Sequence, residues 1–100
     1  MATKKGKYQG RYVIVRTVAA GVYCGILGER VGQELALTEA RLIWNWIGAN
    51  TLLEISQSGV APNSRLSIQI PEILIPGDAI AVIPCSEEAE RVLRAATWAR

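Results

Sequence analysis

Apolar and polar residues alternate with period two through much of this chain, and glycine, proline and polar turns interrupt the alternation at short intervals. That pattern predicts short β-strands. Tyr12 to Val18 is the first, with Val13 and Val15 on one face and Tyr12, Ile14 and Arg16 on the other. Ala19-Ala20-Gly21 makes a tight connection in which Gly21 can take a positive φ. Val22 to Leu27 is the second strand, with Val22, Cys24 and Ile26 opposed to Tyr23, Gly25 and Leu27. A glycine inside a strand weakens it unless a bend or a close approach requires one, so Gly25 marks a bend. Gly28 to Gly32 reads as a polar turn, and Gln33 to Thr38 as a third strand. Ala40 to Trp46 fits either a continued strand, with Leu42, Trp44 and Trp46 on one face, or a short helix that brings Trp46 beside Leu42 or Ile43. Trp-x-Trp suits period two, and Asn45 and Gly48 interrupt a helix, which favours the extended form.

Further on, Thr51 and Glu54 have capping-box spacing. They predict a short helix to Ser58 with Leu52, Leu53 and Ile55 as its apolar stripe and Gly59 as its stop. Arg65 to Ile70 alternates, placing Leu66, Ile68 and Ile70 inward, and Pro71 ends that strand or marks an edge. Ile73 to Ile75 is a brief apolar run closed by Pro76-Gly77-Asp78, and Ala79 to Ile83 is the last strand. Ser86 caps a C-terminal helix whose acids Glu87, Glu88 and Glu90 come first and whose bases Arg91 and Arg94 come later, as the helix dipole favours. Ala89, Val92, Leu93 and Ala96 form its inner stripe, and Trp98 pins the tail. The fold expected is mainly β: a small five- to six-stranded β-barrel with a short inserted helix and a C-terminal helix. Residues 1–10 read as a flexible basic arm and 11–100 as a single domain.

Composition sharpens this picture. At 100 residues the chain holds one core. With 50% hydrophobic and 20% charged residues it is too apolar for global disorder and apolar enough to expose an interface, so homo-oligomerisation is expected. Net charge is only +2, yet Lys4, Lys5, Lys7, Arg11 and Arg16 all precede the first acid, Glu29. Such a head can bind phosphates by counterion release, or it can be a solvated terminus. MATKKGKYQG lacks the apolar core of a signal peptide, and no apolar run approaches the roughly 20 residues of a membrane span. Cys24 and Cys85 sit in apolar runs and read as buried thiols in a reducing compartment, which points to the cytoplasm and away from a membrane.

Two resemblances then emerge. GVYCGILGERVGQELALTEAR and IPGDAIAVIP resemble the two motifs of Sm-like proteins, which implies an Sm-like or SH3-like barrel. LALTEARLIWNWIGANTLLEISQSGV, followed by AVIPCSEEAE, resembles short proteins encoded by phages and prophages. This second resemblance covers most of the chain and implies viral origin and expression in a bacterial host's cytoplasm.

Candidate chemistry is sparse. The chain has no histidine, no CxxC and no phosphate-binding glycine loop, so no catalytic residue, metal site or cofactor is expected. The most ligand-like cluster is Arg41, Trp44, Asn45 and Trp46, with Arg65 adding charge. Indoles stack on planar bases, Arg grips phosphate and Asn reads base edges. Either indole can instead belong to the core or to a subunit interface. The function expected is non-enzymatic: an oligomeric phage protein that sequesters a small anionic nucleotide-type ligand and blunts host immune signalling. The alternatives are an Sm-like single-stranded RNA or DNA binder using the basic arm, and an inhibitor or adaptor that binds a host protein.

Overall fold

The computed structural model describes residues 8–18, 21–46, 51–61, 64–77 and 79–96. The alternating segments form β1 (Tyr12–Thr17), β2 (Val22–Val31), β3 (Glu34–Asn45), β4 (Arg65–Leu66), β5 (Ile70–Ile75) and β6 (Ala79–Pro84). Helix α1 (Leu52–Ser58) is inserted between β3 and β4, and α2 (Glu87–Ala95) follows β6. Every ladder is antiparallel. The sheet runs β4-β3-β2-β1-β6, and β5 also pairs with β3. The mainly-β fold with two short helices is therefore found, but the expected barrel closure is not. Among the described residues no ladder joins β5 to β6, although only residues 76–78 separate them. β5 spends its pairing on β3 and β6 spends its own on β1, at opposite ends of one open sheet.

Both faces of this sheet are covered. Four successive residues of β1 are buried and alternate between two clusters. Tyr12 and Ile14 face the helices with Cys24, Ile43, Ile55, Leu66 and Leu93. Val13 and Val15 face the other way, with Leu27, Leu35, Leu37, Ala40 and Ile75. Each such apolar side chain contributes about 1.5–3 kcal/mol when fully buried.

The ambiguous Ala40 to Trp46 stretch is strand as far as Asn45. β3 is nevertheless not regular. Cys24 pairs with Arg41 while Ile26 pairs with Thr38, so β3 holds one extra residue opposite Gly25. Glu39 at this bulge takes φ 51, and a Cβ on Gly25 would lie 2.8 Å from the Thr38 carbonyl oxygen. The bend foreseen at Gly25 is a close approach of two backbones. The extra residue also shifts the pattern of faces. Leu35 and Leu37 join the second cluster, whereas beyond the bulge Ile43 joins the helix-side one.

The bulge explains a correction. Arg65 to Ile70 is not one inward-alternating strand. Only Arg65–Leu66 pairs with the distal half of β3, and Ile70–Ile75 pairs with its proximal half. One straight strand cannot follow a bent partner. Ile68 and Ile70 are consequently 55% and 37% exposed, and Pro71 lies within β5. The turn between β2 and β3 is also tighter than expected, at Gly32 and Gln33, with Gly28 inside β2.

Thr51 caps α1 as its spacing predicts, its hydroxyl oxygen accepting the Glu54 N–H at 3.2 Å. Gly59 N–H donates to the Ile55 carbonyl at 2.8 Å. Leu53, however, is off the buried stripe and 65% exposed. Ser86 caps α2 through the Ala89 N–H at 3.0 Å, and its own hydroxyl donates to the Gln57 carbonyl at 2.7 Å. One serine thus starts α2 and anchors it to the end of α1. At the N-terminal side, Gly10 N–H donates to the Leu27 carbonyl at 2.8 Å, and Tyr8 packs on the second cluster. Lys4, Lys5, Lys7 and Trp98 lie outside the described residues.

Candidate functional site

Arg41 follows the bulge and is buried, at 4% exposure. Its Nε donates to the Ser67 carbonyl at 2.8 Å, and its Nη1 lies 2.7 Å from the Leu93 carbonyl oxygen and 3.5 Å from that of Arg94. The last two are carbonyls at the C-terminal end of α2, where the helix dipole favours a cation. Arg41 therefore ties β3 to the chain after β4 and to the end of α2. It also borders an apolar groove of about 310 Å³ with Tyr23, Leu42, Ile68, Ile70 and Ile73.

Trp44 is 48% exposed and Arg65 is exposed as well. The Arg65 guanidinium carbon stands 5.3 Å from the centre of the Trp44 ring, within cation–π range. The short β3–β4 ladder positions the pair, since Arg65 lies opposite Asn45. Arg65 forms no ion pair among the described residues, so no described carboxylate neutralises its charge. The side chain of Asn45 lies outside the described part of the structure.

Trp46 goes elsewhere. It follows the end of β3, is half-buried and packs against the helix-side cluster. There it borders a cavity of about 680 Å³ shared with Arg16, Thr17, Val22, Thr51 and Ile83. The structure thus brings Trp44 together with Arg65, sends Trp46 to a separate cavity and commits Arg41 to backbone carbonyls. The sequence reading places Arg16 in the basic head and does not connect it with Trp46. The available signal was its place in the row Tyr12, Ile14, Arg16, a charge on the helix-facing side of a strand.

Several other titratable groups are tied into the fold. Cys24 and Cys85 are free and buried. Burial pushes the Cys24 thiol up to about 11 and the Cys85 thiol up to about 12. Both are therefore protonated at neutral pH and weak as nucleophiles. The Tyr12 hydroxyl donates to Cys24 Sγ at 3.3 Å, and burial raises its pKa well above the ordinary phenol range. Arg94 lies 4.8 Å from the Tyr12 ring centre and pairs with Glu39 at 2.9 Å and Glu90 at 2.8 Å. Its partial burial disfavours the charge, but the two carboxylates outweigh this and its pKa is raised. Among the described residues no group of three or more His, Cys, Asp or Glu is placed to hold a metal ion. No described helix is long and apolar enough to cross a membrane.

No curated protein matches the chain. Residues 10–93 match the family described as Domain of unknown function (DUF6948), and the chain belongs to that family.

Proposed function

We propose that this DUF6948 chain is a non-enzymatic binding protein of phage origin. In this reading it works in the host cytoplasm as a homo-oligomer and sequesters a small anionic nucleotide-type ligand, so blunting host immune signalling. The observation that carries the proposal is the Trp44–Arg65 pair: an indole 48% exposed beside an exposed guanidinium that no described carboxylate neutralises. A stacked base contributes about 1–3 kcal/mol on such a platform, and the guanidinium fork suits phosphate.

Oligomerisation is supported by the open sheet. β5 and β6 lie at opposite ends of it, and Leu74 and Ile80 on these strands are 58% and 59% exposed. An uncovered apolar edge is costly unless another chain meets it. The strand order and bent β3 fit an incompletely closed Sm-like or SH3-like barrel that a neighbouring copy completes.

Calorimetry against cyclic nucleotides, cyclic dinucleotides and ADP-ribose tests the binding claim. Heat from one of them, reduced in R65A and in W44A, is expected; no heat from any of them, or heat unchanged in both variants, overturns it. The same stacking pair would serve single-stranded RNA, and that alternative predicts affinity falling steeply with salt and with removal of Lys4, Lys5 and Lys7. A host-protein partner for the exposed apolar edge instead predicts a stoichiometric complex with no nucleotide dependence.

A further inference from the structure

We infer that the cavity between α1 and the ends of β1 and β6 is a second ligand site, distinct from the Trp44–Arg65 pair. It would take a small aromatic ring carrying one phosphate or carboxylate. Its chemistry is divided by wall. Val22, Leu52 and Ile83 are apolar, and Trp46, which packs against the helix-side cluster, lines the cavity with them. Arg16 supplies the charge. It is the one exposed residue of β1, in the row where Tyr12 and Ile14 are buried. Among the described residues it forms no ion pair. Thr51 Oγ1 accepts the Glu54 N–H, which leaves the hydroxyl proton to donate. A cavity of about 680 Å³ is in the size range of drug-sized ligand sites. An apolar wall with few convergent polar groups is their usual construction. A single guanidinium matches a single anionic group, and the aromatic ring is what the indole selects.

None of the wall residues belongs to the first pair: Trp44 and Arg65 do not line this cavity. The chain has three tryptophans, so W44F combined with W98F leaves Trp46 as the only indole. Its fluorescence is titrated with phenyl phosphate and with AMP, against inorganic phosphate and adenosine as half-ligands. Saturable quenching by a complete probe is expected, with each half-ligand weaker by about tenfold or more, adenosine through loss of a charge-assisted hydrogen bond and inorganic phosphate through loss of the aromatic contact. R16A should weaken the complete probes by a similar factor, and R16K by less. Quenching that survives in R65A but not in R16A separates this site from the one proposed above. Absence of saturable quenching, or quenching unchanged in R16A, overturns the inference. Should the doubly substituted chain fail to fold, the Nε1–H resonance of Trp46 in the ¹⁵N-labelled wild-type protein gives the same reading: a shift on adding AMP supports the site and no shift removes it.

Discussion

Replacing Arg41 by alanine would remove a buried guanidinium and leave the carbonyls of Ser67 and Leu93 without the donors they now have at 2.8 and 2.7 Å. A hydrogen bond from a charged donor contributes about 1.5–3 kcal/mol, and a buried acceptor left unpaired costs about 1–3 kcal/mol. Against this, the variant no longer has to bury a charge, which costs several kcal/mol. The Arg94 carbonyl at 3.5 Å adds little. The balance is a destabilisation of about 3 kcal/mol, within the range for breaking one side of a buried charged contact. Urea unfolding followed by circular dichroism checks it. With an m-value of about 1–1.5 kcal/mol/M, the midpoint should fall by about 2–3 M. The melting temperature should drop by about 12–24 °C. R41K should recover only part of this, because an ammonium cannot present the same planar fork. An R41A midpoint within about 0.5 M of wild type would refute the assignment of Arg41 as a structural tie.

Other outcomes follow from the same geometry. G25A places a Cβ 2.8 Å from the Thr38 carbonyl oxygen, so the β2–β3 ladder must shift, at about 1–3 kcal/mol in chemical denaturation. T51A removes the cap of α1 and should cost about 1 kcal/mol, visible as faster hydrogen exchange over residues 52–58. The thiols set an alkaline limit: a group whose folded pKa is raised stabilises the fold below its unfolded value and loses that contribution above it. Stability should therefore decline from about pH 9, the ordinary thiol value, towards the raised values of about 11 for Cys24 and about 12 for Cys85. The alanine double variant should flatten that decline. At pH 8 both thiols should react slowly with a disulfide reagent until urea is added.

Local rules reached the elements more readily than their assembly. Period-two alternation located β1, β2 and β6, and spacing alone found both helix caps, Thr51 and Ser86. These signals are written in neighbouring residues. The break between β4 and β5 was not legible, because its cause lies in β3: the extra residue at Glu39 decides where the partner must divide. Arg41 read as a ligand residue for a similar reason. Its partner Leu93 is 52 positions away, and no local pattern announces that a helix end will arrive there. The Trp-x-Trp pair suggested a shared face, but β3 ends at Asn45 and Trp46 leaves the alternation. The Trp44–Arg65 contact depended on a two-residue strand, shorter than any periodicity can reveal.

The alternation of Tyr12, Val13, Ile14 and Val15 between two clusters has a consequence for how this family can diversify. Elsewhere a substitution disturbs one layer, and compensation can be found among neighbours on that side. From Tyr12 to Val15 the backbone is a wall common to adjacent rooms, and a change of volume on one side moves the backbone that the other side rests on. A saturation library scored for folded protein should therefore show its lowest tolerance in these four codons, below even the glycines of the turns. Variation should accumulate instead along β5, where Pro71, Glu72 and Leu74 are exposed.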